Sequence, residues 1–131
     1  MLVVGDNLQA VMGQLGIVDP PGGFDDSTIM LKRSDDITRI RPVGTGVVAY
    51  GTRVPEAWVH SEKIGAKGLV LEPGDAVLGC SHETVKMPCG YMGLVHTKGT
   101  LARMFVVVQC ADPQIDTGFN GKIPFEIVNL G

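Results

Sequence analysis

Residues 69–88 read Leu69-Val70-Leu71-Glu72-Pro73-Gly74-Asp75-Ala76-Val77-Leu78-Gly79-Cys80-Ser81-His82-Glu83-Thr84-Val85-Lys86-Met87-Pro88. Pro73-Gly74-Asp75 is turn chemistry: Pro presets φ, Gly tolerates positive φ, and Asp bonds its own backbone. Short β-type runs flank it, Leu69–Leu71 before and Ala76–Cys80 after. Thr84–Met87 forms another and stops at Pro88, which has no N–H for a sheet ladder. The same rhythm continues outward. Thr28–Leu31, Gly46–Ala49, Met92–His96, Met104–Gln109 and Ile123–Val128 all read as short strands. Many short strands with Gly/Pro turns predict a mainly β barrel or sandwich. Met104-Phe105-Val106-Val107-Val108 is continuously apolar, which predicts a strand buried on both faces. Leu101-Ala102-Arg103 just before it can form a helical turn. The exception to all-β is the N-terminus. Asp6 reads as an N-cap for a helix over Asn7–Leu15, with Leu8, Val11, Met12 and Leu15 on one face and Gly16 as the stop.

Length and composition narrow the function classes. The 131 residues fit one domain with a single core. A net charge of −3 argues against a surface for nucleic-acid polymers or acidic membranes, while leaving room for a small anion site in a pocket. Cys80, Cys89 and Cys110 are odd in number and sparse, which reads as reduced thiols in a cytoplasmic protein. Apolar runs are too short to span a bilayer, and Met1 opens no signal-peptide pattern.

Three segments in the last third could carry chemistry. Lys98-Gly99-Thr100 offers a cation, a backbone that can approach closely, and a hydroxyl, a set that suits phosphate. Its ordinary alternative is a solvated turn, and the P-loop frame is absent. Ile115-Asp116-Thr117-Gly118-Phe119-Asn120-Gly121 reads as a hairpin anchored by Ile115 and Phe119, with Asp116 and Gly118 at its tip. Phe119 could pack beneath a sugar or simply belong to the core. Glu126 interrupts the apolar strand Phe125-Glu126-Ile127; it either faces solvent or lies in a pocket, where it could shuttle protons. Arg103 could stabilise developing charge or pair with Glu126. Zinc deamination is disfavoured: His82-Glu83 lacks the spacer of H-x-E, and Pro88-Cys89-Gly90-Tyr91 lacks the second Cys of P-C-x-x-C.

In their order, these segments resemble the dCTP deaminase branch of the dUTPase-like superfamily over about Leu69–Gly131. Leu71-Glu72-Pro73-Gly74-Asp75 resembles L-x-P-G-[ED], and Glu83-Thr84-Val85-Lys86-Met87-Pro88 resembles E-x-[VI]-x-[LM]-P. Thr97–Arg103 stands where the family has G-R-S-S-L-A-R, Ile115–Gly121 where it has I-D-P-G-[WF]-x-G, and Ile123–Asn129 where it has I-x-L-E-x-x-N. The resemblance implies a distorted jelly-roll β fold with a short N-terminal helix, filling 1–131 as one dUTPase-like domain without the family's last strands and tail. It implies a homotrimer with sites between subunits, a pyrimidine deoxynucleoside triphosphate as substrate, Mg²⁺ carried on the phosphates, and no zinc. By the same resemblance Glu126 is the general base for water attacking C4 of cytosine, Arg103 organises that centre, and Asp116 matches the water-activating aspartate of dUTPases. Lys98, Gly99 and Thr100 take phosphate-segment positions, Asp112 lies beside the base, Ile115 and Gly118 belong to the substrate site, and Phe119 lies beneath the deoxyribose. Lys98-Gly99-Thr100 departs from R-S-S, and Lys lacks the fork of Arg. The expected function is deamination of dCTP to dUTP. The alternatives are a dUTPase or bifunctional enzyme releasing pyrophosphate, and a nucleotide-binding homologue without catalysis.

Overall fold

The computed structural model describes residues 1–108 and 112–131. The expected strand end at Gln109 and the third thiol, Cys110, lie outside the described residues. One helix, α1 (Gly5–Leu15), precedes a series of short strands. These are β1 (Val18–Asp19), β2 (Gly23–Asp25), β3 (Thr28–Met30), β4 (Arg33–Ile40), β5 (Val59–Lys63), β6 (Ala76–Ser81), β7 (Thr84–Lys86) and β8 (Gly93–Leu94). A single helical turn, α2 (Gly99–Ala102), leads to β9 (Val106–Val108), β10 (Gln114–Ile115), β11 (Asn120–Gly121) and β12 (Pro124–Asn129).

The larger sheet has the order β5-β4-β6-β12-β9, and a smaller one the order β1-β7-β11. Strands β8 and β10 pair beside them, and β2–β3 is a hairpin. Every pairing is antiparallel. The core is closed by Ile37, Val77, Phe125 and Ile127 from the larger sheet and by Val18 and Val85 from the smaller, with Ile17, Met87, Ile115 and Ile123 joining them. Along β12 the alternation is clear: Phe125 and Ile127 are buried, so Glu126 and Val128 face the other side of the sheet.

The helix starts earlier than its expected cap. Val4 occupies the N-cap with no side-chain bond, and Asp6 lies in the first turn, where a carboxylate meets the positive end of the backbone dipoles. Gly16 ends the helix in the left-handed conformation, donating its N–H to the Met12 carbonyl at 3.0 Å. Val11 and Met12 pack on the core, whereas Leu15 is exposed.

Three expected strands differ. Residues 46–49 form none: Gly46 lies so close to Trp58 that a Cβ would stand 2.3 Å from the indole, and the backbone and hydroxyl of Thr52 both donate to the Ala49 carbonyl. Residues 69–71 form none either, although Leu69 and Leu71 pack on the core. Side chains take up that backbone instead, with Arg39 Nη2 bonding the Val70 carbonyl and Asn129 Nδ2 the Leu71 carbonyl. In the apolar run at 104–108, Met104 and Phe105 are exposed in a turn, Phe105 at φ 56°, and only Val106–Val108 is strand, half-buried rather than covered on both faces.

The longest strand, β4, is nearly hidden in the sequence by its charges. Arg33, Asp35, Asp36 and Arg39 obscure an alternation in which Ser34 and Ile37 alone are buried. Arg39 clips this strand in place: its guanidinium meets Glu62 at 2.7 Å on β5 and Asp75 at 3.3 Å in the Pro73-Gly74 turn.

Candidate functional site

Thr97 anchors the first segment. Its hydroxyl donates to the Val108 carbonyl at 2.6 Å and accepts from the Val108 N–H at 2.8 Å, stitching the start of Thr97–Arg103 to β9. Lys98 then caps α2 with extended backbone, and its carbonyl accepts from the N–H groups of Leu101 and Ala102. Lys98 Nζ reaches Met30 Sδ at 3.5 Å, so the β2–β3 hairpin borders this segment. Gly99 and Thr100 are exposed in the first turn of α2, where N–H groups lack intrahelical acceptors. Arg103 folds back over that turn: its Nη2 lies 3.8 Å from where a Gly99 Cβ would stand. A Cβ at Gly99 would make only ordinary van der Waals contact with the guanidinium.

Val108 connects this segment to the carboxylate strand. It pairs with Ile127 of β12, and Glu126 is the next residue. Glu126 is half-buried on the face of β12 opposite the core, and it pairs with Leu78 on its other flank. The fold therefore brings Thr97–Arg103 and Glu126 to one region of the larger sheet, on either side of β9.

The hairpin segment is built on the smaller sheet. Ile115 is buried and pairs with Gly93, while Phe119 is half-buried against the core. Gly118 takes φ 80° and donates its N–H to the Met87 carbonyl at 2.9 Å; Met87 in turn donates to the Phe119 carbonyl at 2.8 Å. Thr117 Oγ1 accepts from the Gly90 N–H at 3.1 Å. These bonds tie the turn to the end of β7 and leave Asp116 exposed, its Oδ1 accepting from Gln114 Nε2 at 2.6 Å. Asp112 is also exposed and accepts from the Gln114 N–H at 3.2 Å. Between Asp112 and Gln114, the Pro113 carbonyl accepts from Val95, two residues before Thr97. Asp112 thus borders the Thr97 segment, whereas Asp116 lies in the turn between β10 and β11 and Glu126 in the larger sheet. A Gly118→Ala variant should lose about 1 kcal/mol in denaturant unfolding, because no atom lies near the added Cβ and the cost is left-handed backbone alone. Gly118→Asn should lose less.

Two buried polar groups support this arrangement: Ser81, which the sequence does not single out, and Glu83, which it marks only as a motif position. Ser81 is 0% exposed and Glu83 2%. Ser81 Oγ donates to the Glu83 carbonyl at 2.6 Å and accepts from the Ile123 N–H at 2.9 Å, fixing where β12 begins. Glu83 Oε2 accepts from the Lys32 N–H at 2.9 Å. A Ser and a Glu flanking a His give no periodicity signal; only the turn between β6 and β7 reveals why both are polar. Among the described residues, no group of three His, Cys, Asp or Glu side chains is gathered to hold a metal ion. Among the described residues, no helix is long and apolar enough to cross a membrane.

Comparison with known proteins agrees with this architecture. Over 62 residues the chain is 42% identical to a "dCTP deaminase, dUMP-forming" of Halobacterium salinarum, covering 47% of this chain and 32% of that protein. Over 115 residues it is 27% identical to a "dCTP deaminase, dUMP-forming" of Dictyoglomus thermophilum, covering 87% of this chain and 59% of that protein. The chain thus spans between about a third and three-fifths of the length of these relatives. The crystal structure of the 2'-deoxycytidine 5'-triphosphate deaminase from Agrobacterium tumefaciens superposes with a TM-score of 0.66 at 17% identity, covering 96% of this chain and 41% of that one. That likeness bears on the fold, which is mainly β and of the dUTPase-like type, as the sequence led one to expect. A family model described as dCTP deaminase-like matches residues 20–131, nearly the whole of the β structure, and the chain belongs to that family.

Proposed function

We propose that the protein deaminates dCTP, or a close pyrimidine deoxynucleotide, to dUTP and ammonia. The observation that carries this reading is the half-buried Glu126 on β12, flanked across β9 by Thr97–Arg103, in a chain of the dCTP deaminase-like family. Water adds to C4 of the base. Glu126 takes a proton from that water and passes it to the amino group, the C4–N bond breaks, and ammonia leaves. Arg103 stabilises charge as it builds on the base. Lys98, Thr100 and the Gly99 backbone hold phosphate; Asp112 borders the base, and Ile115, Gly118 and Phe119 shape the sugar pocket.

Magnesium fits this scheme as a companion of the nucleotide. It prefers oxygen ligands and keeps several waters, so it rides on the triphosphate and neutralises charge there. The reading further takes residues 1–131 as one dUTPase-like domain, assembled as a cytoplasmic homotrimer with sites completed between subunits, and acting on no nucleic-acid polymer or membrane.

A second reading has a specific support: relatives named dUMP-forming. In it, the exposed Asp116 positions a water that cleaves the triphosphate to dUMP and pyrophosphate. Incubation with dCTP and Mg²⁺, with separation of dUTP, dUMP and pyrophosphate, distinguishes the two. Accumulating dUTP supports deamination alone. Should pyrophosphate appear, Asp116→Asn is expected to lower its release at least 100-fold, in line with general-base catalysis, while ammonia continues to form. Neither product from dCTP or dUTP would leave a binding protein without catalysis.

A further inference from the structure

The outer face of the larger sheet carries an exposed leucine where a central strand would ordinarily be covered or polar. Leu78 lies in β6, between β4 and β12, and is 41% exposed. It pairs directly with Glu126 on one side and with Thr38 on the other. Directly paired residues of antiparallel strands project to the same face, with Cβ atoms about 4.5–5.5 Å apart. Leu78 and Glu126 are therefore neighbours on one face of the sheet. Leu78 also lines a concavity of about 440 Å³ together with Thr38, Ser61 and Cys80. Thr38 and Ser61 carry the row onward with hydroxyls 3.3 Å apart, so Leu78 is the apolar member adjoining Glu126.

We propose that Leu78 is a positioning residue for Glu126, an inference that rests on the deaminase reading of that carboxylate. A branched apolar group one strand away limits the orientations open to the carboxylate and keeps water from its β6 flank. The carboxylate is then presented to the water and the amino group that it must serve in turn. A polar side chain in place of Leu78 would bring water or a competing hydrogen bond to that flank and spread Glu126 over unproductive orientations. Because Leu78 is partly exposed, the same change leaves the core intact.

The test is a double-mutant cycle in the full chain, read as ammonia release from dCTP with Mg²⁺. Leu78→Asn is expected to lower kcat about tenfold, with KM for dCTP and the melting temperature nearly unchanged, and Leu78→Met to restore most of the rate. In the Glu126→Gln background, Leu78→Asn should lower the residual rate no further, because residues that act as a unit are not additive. An equal tenfold loss in both backgrounds, an effect on KM alone, or a loss that tracks the melting temperature would overturn the positioning role while leaving the function intact. Absence of ammonia from the unmutated protein would instead defeat the deaminase reading and the inference with it.

Discussion

Glu126→Gln is expected to reduce deamination of dCTP by about 10²–10⁴-fold, the span that a positioned general acid–base contributes. Glutamine keeps the shape and can still hydrogen-bond, but it cannot take a proton from water and return it to the leaving amine. Glu126 lies on the outer face of β12, away from the buried Phe125 and Ile127, so the core is untouched. Nucleotide affinity measured by titration calorimetry should therefore stay within roughly threefold, and the loss should fall on kcat, as for an interaction made in the transition state. A variant that retains nearly full activity would remove Glu126 from the chemistry. One that loses affinity and rate together would make it a binding residue.

The second large effect concerns stability. Ser81→Ala should lower it by about 2–4 kcal/mol, from two orphaned buried groups at roughly 1–3 kcal/mol each. The hydroxyl joins the Glu83 carbonyl to the Ile123 N–H, and all three residues are buried. The backbone bond from Ser81 N–H to the Ile123 carbonyl at 2.8 Å survives the change, so the strands stay paired but their junction is left with unmet polar groups. At this chain length the loss corresponds to a fall in Tm of about 10 °C. Ser81→Thr keeps the hydroxyl and should recover more than half of it, the remainder reflecting an added methyl in a filled space. A fall in Tm of less than about 2 °C for the alanine variant would show that the junction does not depend on the hydroxyl.

Both predictions turn on features of very different visibility in the sequence. Turn chemistry carried the reading of the fold furthest: Pro73-Gly74-Asp75 and Pro88 mark the ends of β6 and β7 correctly because Gly and Pro act locally, whatever surrounds them. Hydrophobic runs were less reliable. The segments at 46–49 and 69–71 are as apolar as true strands, but their backbone bonds go to a turn and to the side chains of Arg39 and Asn129. Strand β4 shows the reverse, since most of its residues face solvent or form ion pairs and Ile37 alone reports its burial. Met104 and Phe105 extend an apolar run past the true start of β9 because a left-handed residue follows α2. None of these outcomes is written in the apolar pattern itself: residues 69–71 depend on side chains far along the chain, 46–49 on Thr52 and Trp58, and 104–105 on a local left-handed turn.

The candidate site divides in the same way. The order of the motifs identified the segments, and the fold explains why two of them flank β9: Thr97 is stitched to Val108, and Val108 pairs with Ile127, next to Glu126. The sequence offered no means of learning that Arg103 folds back over Gly99, or that Leu78 pairs with Glu126, because such contacts are set by the turn and by cross-strand register rather than by spacing. Asp116 shows how proximity along the chain misleads. It precedes Glu126 by ten positions, yet it sits on a turn held by Met87 and Gly90 while Glu126 belongs to the larger sheet.

The most direct test of the account is ammonia release from dCTP and Mg²⁺ by the unmutated protein, run beside Glu126→Gln purified identically. The account predicts one ammonia for each dCTP consumed by the unmutated protein and a rate at least about 100-fold lower for the variant. No ammonia from either protein, or equal rates from both, would contradict it.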